Sequence, residues 1–302
     1  VGPTEPTVGH DASHSAGLFS LVGTPIGNLS DVSPRVSATL AAADVVLCED
    51  TRVTGKLLSC LGVHVSLERC DENVIRARTQ SVLDLLAVGE RVAFVSDAGM
   101  PGVSDPGSVL MDAALAAGVA TEVIPGPSAV TCAVAASGLV CRHFLFEGFL
   151  PRKAGERDRL LVTLSQVPAA LVIYESPHRV AATLTAIAGV MPTRRVALVR
   201  ELTKVHEEVS RAIAPALAAS VAARVEAEPL KGECVIVVEE PAADEVLAAP
   251  TTETARPSLD EAIAEGIRQG SPKSALARRI ARAYGITRDE AYQRVVELSR
   301  KG

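Results

Sequence analysis

The 302-residue chain reads as a two-domain α/β protein with a small C-terminal helical module. Three observations predict this. Apolar, strand-like runs repeatedly end in loops of Gly, Pro, Asp and Ser that open helices. Pro125-Gly126-Pro127 divides an earlier set of these units from a later one. A stretch rich in Ala, Pro and Thr then separates a basic tail from an acidic body. In α/β proteins ligands sit outside the carboxyl ends of the strands, and here the polar chemistry gathers at those ends. That points to an enzyme.

Taken in order, residues 1–17 read as a flexible tail without the basic start and apolar centre of a secretory signal. Leu18–Val22 is the first strand and leads into Gly23-Thr24-Pro25-Ile26-Gly27-Asn28. The helix that follows carries Val32, Val36, Leu40 and Ala43 on one face. Val45–Cys48 leads into Glu49-Asp50-Thr51-Arg52, and a further helix has Ile75, Thr79, Val82 and Leu86 in one stripe. Val92–Ser96 runs into Asp97-Ala98-Gly99-Met100-Pro101, and Ala120–Ile124 into Pro125-Gly126-Pro127-Ser128. This alternation predicts a mostly parallel sheet flanked by helices over 18–125.

A second α/β domain is expected over 126–241. Its strands are Phe144–Phe149, Leu171–Tyr174, Val196–Val199 and Cys234–Glu239, and its helices lie near 156–164, 177–190 and 214–225. Residues 242–257 read as a linker. In 258–302, Ser258 with Glu261 and Thr287 with Glu290 have the capping-box form. Ser271-Pro272 starts another helix, and Gly270 and Gly285 close helices. The result is a helix-turn-helix-like unit of three helices.

Hydrophobic residues make up 48% of the chain and charged residues 22%, a globular mixture. No apolar run reaches the roughly 18–20 residues that cross a membrane, so no membrane partner is expected. Cys48, Cys60, Cys70, Cys132, Cys141 and Cys234 form no C-x-x-C pair. They predict structural thiols, a reducing cytoplasm and no metal site. The net charge of −6 argues against a protein that coats nucleic acid indiscriminately. The charge is uneven: residues 255–302 hold ten Lys/Arg against six Asp/Glu, a net of +4, which leaves −10 elsewhere. A basic end suits RNA contact, and is also common on inert helical modules.

No G-x-G-x-x-G follows the first strand and no Walker loop is present. The run D-A-G-M-P-G-V-S-D-P-G holds Gly99, Gly102 and Gly107, with Asp105-Pro106 suited to a helix cap. A tight loop before a helix accounts for that run. Ligand contact accounts also for Asp97, which stands at a strand end where no cap is needed. Glu49-Asp50-Thr51-Arg52 reads as a surface ion pair or as a substrate contact, the latter favoured by its position. Ser176-Pro177-His178-Arg179 reads as a helix cap or a site holding a base. Arg200-Glu201-Leu202-Thr203-Lys204 repeats the charged strand end, whereas Lys231-Gly232-Glu233 precedes a strand as a tight turn.

The loops G-T-P-I-G-N-L-S-D, C-E-D-T-R, S-D-A-G-M-P-G-V-S-D-P-G, P-G-P-S-A, Y-E-S-P-H-R, R-E-L-T-K and K-G-E, in that order, resemble one family. It is the RsmI family of 16S ribosomal RNA (cytidine-2′-O) ribose methyltransferases, within the tetrapyrrole-methylase superfamily. The resemblance runs from about Leu18 to Glu239 and into the basic tail. It implies a tetrapyrrole-methylase-like architecture, S-adenosyl-L-methionine (SAM) in the cleft between two α/β domains, and a homodimer. The implied substrate is the ribose 2′-hydroxyl of a cytidine in the decoding region of 16S rRNA or the small ribosomal subunit, position 1402 in the usual RNA numbering. The implied cofactor contacts are Pro25, Gly27 and Asn28; Asp97, Ala98, Gly99 and Pro101; Ser104 and Asp105; Pro125, Gly126 and Ser128; and Tyr174 and Glu175. Lys231, Gly232 and Glu233 are expected to close over it.

Methyl transfer to oxygen is an in-line displacement, so alignment supplies much of the catalysis. A ribose hydroxyl is a weak acid that benefits from a base, and Glu49, Asp50 and Glu201 are the candidates. Arg52, Arg179, Arg200 and Lys204 suit RNA phosphates, as do Arg278 and Arg279 in the tail. Two other functions remain open. One is a methylase acting on a small tetrapyrrole such as a cobalamin precursor; the other is a ribosome-assembly factor that binds RNA without catalysis. The basic tail and the C-E-D-T-R and Y-E-S-P-H-R runs favour the RNA enzyme, and intact donor loops count against a pure binder.

Overall fold

The computed structural model describes residues 17–102, 105–242, 245, 259–269, 271–284 and 286–301. The chain divides into two units, Val1–Pro241 and Ala242–Gly302. The first unit holds two five-stranded sheets.

The first sheet comprises β1 (Leu18–Val22), β2 (Val45–Cys48), β3 (Ser66–Arg69), β4 (Arg91–Val95) and β5 (Ala120–Ile124). Its order is β3-β2-β4-β1-β5 and every pair is parallel. Helices cover both faces, so β1, β2 and β4 read as nearly unbroken apolar runs. Under α3 (Ile75–Ala87) and α4 (Gly107–Ala116) lie Phe19, Leu21 and Phe94, clustered with Leu110 of α4. On the other face α1 (Pro34–Ala42) and α2 (Thr51–Leu61) bring Leu40 and Leu58 onto Val22, Val46 and Val95. β1 connects past β4 to β2, whereas β4 connects past β1 to β5. The connections therefore diverge between β1 and β4, the switch point where a crevice opens at the carboxyl ends.

After Pro125–Ser128 the chain enters α5 (Ala129–Ser137), which packs Val130 and Ala133 on the second sheet. That sheet comprises β6 (Phe144–Phe149), β7 (Ala170–Glu175), β8 (Arg195–Arg200), β9 (Glu208–Ile213) and β10 (Cys234–Val238). The order is β6-β7-β10-β8-β9, parallel between β6 and β7 and antiparallel elsewhere. Its other face is covered by α6 (Ala154–Ser165), α7 (Val180–Val190) and α8 (Ala214–Ala227), with Leu161, Leu184, Ile187 and Leu217 in the core. β3 and β9 were not expected from the sequence. Both are edge strands, S-L-E-R and E-V-S-R-A-I, with too few buried positions to form an apolar run.

Among the described residues, the second unit has three full helices: α9 (Leu259–Arg268), α10 (Lys273–Tyr284) and α11 (Arg288–Lys301). Ile263, Leu276, Ile280, Ala291 and Val295 form its core. The capping box at α11 is formed: Glu290 N–H donates to Thr287 Oγ1 (3.2 Å) and Thr287 N–H to Glu290 Oε2 (2.8 Å). The Arg294 guanidinium grips Asp260 at 2.8 and 2.6 Å, tying α11 to α9. Most of the expected linker and N-terminal tail, together with Ser104, Ser258, Gly270 and Gly285, lies outside the described residues. Among the described residues no helix is long and apolar enough to cross a membrane.

Candidate active site

Three strand-end loops of the first sheet are sewn together by backbone. Gly23 N–H donates to Ile124 O (2.9 Å), Thr24 N–H to Gly99 O (2.9 Å), and Gly99 N–H back to Thr24 O (3.2 Å). The loops after β1 and β5 approach so closely that a Cβ on Gly23 would stand 2.6 Å from Gly126 N. A Cβ on Gly126 would meet Gly23 C at 2.7 Å, so neither position accepts a side chain without moving backbone.

Beside this junction lies a cavity of about 610 Å³ between the two sheets of the first unit. That is within the roughly 300–1,000 Å³ of small-molecule sites. Ten of the predicted residues line it: Glu49, Asp97, Ala98, Gly99, Asp105, Ser128, Tyr174, Glu175, Gly232 and Glu233. Pro25, Gly27, Asn28, Pro101, Pro125, Gly126 and Lys231 are not among its lining. Gly27, at φ +152°, instead abuts the turn after β8: a Cβ there would be 2.5 Å from Lys204 Cγ. Ser104 falls outside the described residues. The sequence reasoning missed several lining residues, including Ser96, Ala129, Phe149, Val199, Leu202, Cys234 and Val235. Most are apolar strand ends, which in a sequence cannot be told from core.

Two carboxylates on the first-sheet side exchange hydrogen bonds with neighbouring backbone. Asp97 N–H donates to Glu49 Oε1 (3.3 Å), and Asp50 N–H donates to Asp97 Oδ1 (3.1 Å). Burial pushes the Glu49 carboxyl above its ordinary pKa, with the Asp105, Asp97 and Asp71 carboxylates adding to the effect. Burial likewise raises Asp97, and the Asp50 charge adds to it. Asp105 shapes the loop, accepting from Gly102 N–H (2.8 and 2.9 Å) and Gly107 N–H (2.9 Å). Asp50 is occupied elsewhere. It caps α2 through Arg52 N–H (2.8 Å) and takes the Arg52 guanidinium at 3.1 and 2.6 Å, which holds it well below the usual carboxylate range.

On the second-sheet side the charges are matched. Glu175 is buried and accepts from Ser176 N–H (2.8 Å) and Thr183 Oγ1 (2.6 Å), with Arg179 Nε at 3.3 Å. Arg179 also donates to Leu150 O (2.9 Å) and Pro151 O (3.1 Å). Arg200 holds Glu208 (2.9 Å) and Lys231 O (3.2 Å). Lys204 Nζ bridges Glu201 (2.9 Å) and Glu233 (3.0 Å). Burial alone would raise the Glu201 carboxyl; Lys204 and the Glu233 N–H outweigh it and leave it lowered. Glu201 and Thr203 both have positive φ, +51° and +64°, a strained turn held by Glu233 backbone. Of the four cations predicted to meet RNA in this unit, Arg52 is thus the one with an open face, its side chain 86% exposed. Arg278 and Arg279 are exposed on α10 of the helical unit.

The model of the family described as Tetrapyrrole (Corrin/Porphyrin) Methylases matches residues 19–218. A Streptococcus pyogenes serotype M1 protein named Ribosomal RNA small subunit methyltransferase I is 38% identical over 284 residues, 94% of this chain and 96% of its own length. A Mesorhizobium japonicum protein of the same name is 40% identical over 281 residues, 92% of this chain and 91% of its own. Among solved structures, a Thermus thermophilus uroporphyrin-III C-methyl transferase complexed with S-adenyl homocysteine is 17% identical. It superposes with a TM-score of 0.52 over 74% of this chain and 97% of that one, a likeness of fold. Matches of this length and identity show the family: the chain belongs to the tetrapyrrole methylases and, among them, to the ribosomal RNA small subunit methyltransferase I family.

Proposed function

We propose that the protein is a SAM-dependent methyltransferase that methylates the ribose 2′-hydroxyl of a cytidine in the decoding region of 16S rRNA, acting as a cytoplasmic homodimer. One observation carries the chemistry: half-buried Glu49, its pKa raised, faces a cavity at the switch point of the parallel sheet. The relatives' shared name supplies the substrate class.

The cavity fits the donor. Its size suits a nucleoside-sized ligand, Val199, Leu202 and Val235 form an apolar wall for an adenine ring, and Asp97 offers an acceptor for ribose hydroxyls. Gly99 lines the cavity at φ +84°, and a Cβ there would press on Ile26 at 3.2 Å. When bound, SAM supplies the methyl group as an activated sulfonium. A raised pKa makes Glu49 a stronger base for the attacking hydroxyl. Glu201 and Asp50 are poorer bases because each is already ion-paired. Arg52, Arg278 and Arg279 would meet phosphates of the substrate.

The test incubates the protein with labelled SAM and small subunits from cells lacking the modification, then maps the methylated nucleotide. A 2′-O-methyl group on the decoding-region cytidine is expected. SAM binding without transfer to subunits or free RNA would move the assignment to a small-molecule methylase.

A further inference from the structure

We propose that Phe149 is the platform on which the base of the target nucleotide stacks, an inference that rests on the RNA substrate proposed above. The chain is poor in aromatics, with five Phe, three Tyr and no Trp. Half of these eight stand together: Phe144, Phe146 and Phe149 on β6, and Tyr174 on the adjacent β7. Phe146 and Phe149 both meet the Tyr174 ring edge-on, at centroid distances of 4.8 and 5.7 Å.

The backbone is adjusted to make this group. Phe149 lies three positions after Phe146, a spacing that would put them on opposite faces of a regular strand. A bulge between Phe146 and Gly148, with Gly148 at φ +73°, shifts the register so that they pair with Val172 and Tyr174 and share a face. Phe146 and Tyr174 pack against the core, whereas Phe149 lines the cavity and stays 62% exposed. A ring left this open forgoes most of the burial that aromatic side chains ordinarily gain.

Its support is firm, because Arg179 grips the Leu150 and Pro151 carbonyls immediately after it. Arg152 and Lys153 follow three and four positions after the ring and are exposed, Lys153 pairing with Glu156 at 3.2 Å, so the ring is followed in sequence by a short basic stretch. Single-stranded RNA is recognised by stacking of splayed bases on aromatic side chains beside such cations. The donor's adenine is a poorer occupant. A bound cofactor buries about 70–90% of its surface, which the apolar wall of Val199, Leu202 and Val235 provides and the open Phe149 ring does not.

The test compares wild type with Phe149→Ala, Phe149→Leu and Phe149→Trp on unmethylated small subunits, alongside direct SAM titration and sedimentation. The ring is exposed, so all three are expected to fold, as thermal melting would check. We expect kcat/KM for subunits to fall roughly ten- to hundredfold in the Ala and Leu variants, the scale of one base–aromatic stack, and to recover with Trp. SAM affinity and oligomeric state should not change. Full activity in Phe149→Leu would reduce the ring to apolar bulk and overturn the proposal. So would a parallel loss of SAM affinity, which moves the ring to the donor, or dissociation of the oligomer, which moves it to a subunit interface. A wild-type protein that binds SAM but methylates no subunit would strike the RNA assignment itself.

Discussion

The two walls of the cleft begin from similar sequence and use it in opposite ways. β2 runs out into C-E-D-T-R, and β8 into R-E-L-T-K. On the first wall Glu49 and Asp97 are held by backbone N–H groups alone, and their pKa values rise. On the second wall Glu201, Lys204, Glu233, Arg200 and Glu208 neutralise one another across a strained turn. The difference teaches that a carboxylate at a strand end is available for proton transfer only where no cation holds it. The first wall is built for reaction, and the second for holding shape.

The largest effect that would break this comparison is in turnover. Glu49→Gln should lower kcat by about 10²–10⁴-fold, the scale of general-base catalysis, with SAM affinity little changed. Glu201→Gln should lower it less than about tenfold, since that carboxylate braces a turn. Equal losses in single-turnover assays would erase the distinction. The pH dependence carries a sign. A base works only when ionised, so wild-type kcat should fall as pH drops through a value above the ordinary carboxylate range. Stability runs the other way: with the folded pKa raised, the stabilising contribution of Glu49 is present below its unfolded pKa and lost as pH rises through the folded one. Glu49→Gln should therefore be more stable than wild type at neutral pH.

The junction between the loops that form the first wall offers the next effect. Gly126→Ala drives a Cβ into the Gly23 backbone at 2.7 Å, where no side chain can yield. We expect a loss of about 3 kcal/mol, the upper end of overpacking, in urea denaturation, together with weakened SAM binding. Gly189→Ala in α7 is the control. Its Cβ meets nothing within 4 Å, so the variant should gain about 0.5–1 kcal/mol from helix propensity.

How far the sequence could be read follows the same contrast. β1, β2 and β4 are apolar on both faces, so their ends, and with them Glu49, Asp97 and Gly99, stand out by position. β3 and β9 lie at sheet edges and carry no such run. The roles of Arg179 and Arg200 were illegible because their carbonyl partners, Leu150 and Lys231, lie 29 and 31 residues away in sequence. A charge shows in sequence, but its partner does not. Phe149 was hidden for a different reason: F-L-F-E-G-F reads as core, and the bulge at Gly148 that brings its last ring onto the cavity face follows no alternation pattern.

Glu208 tests the second wall more gently. Arg224 and Arg200 hold its carboxyl down at about 2. A lowered folded pKa means the stabilisation is present above the ordinary glutamate range and lost as pH falls toward that value. The side chain is 31% exposed, so solvent screens part of this attraction. Glu208→Gln should then cost about 1–2 kcal/mol at neutral pH. The difference from wild type should shrink toward zero near pH 2, as read from acid-denaturation curves. A constant difference across pH would mean that hydrogen bonds rather than charge hold this turn.

Arg52 closes the comparison from the first wall, where it is the exposed cation. Its guanidinium lies on Asp50 and is 86% in solvent, a geometry in which an ion pair adds little to folding. Arg52→Ala should therefore leave the melting temperature unchanged. Binding to the small subunit should weaken a few-fold, and the slope of log affinity against log salt should become shallower by about one, the signature of a single lost phosphate contact. A fall in melting temperature with no change in slope would return Arg52 to the class of Arg179 and Arg200, cations spent on the protein itself. Of the predicted RNA cations, that would leave Arg278 and Arg279 of the helical unit to meet the phosphates, beside the basic stretch Arg152-Lys153 that follows Phe149.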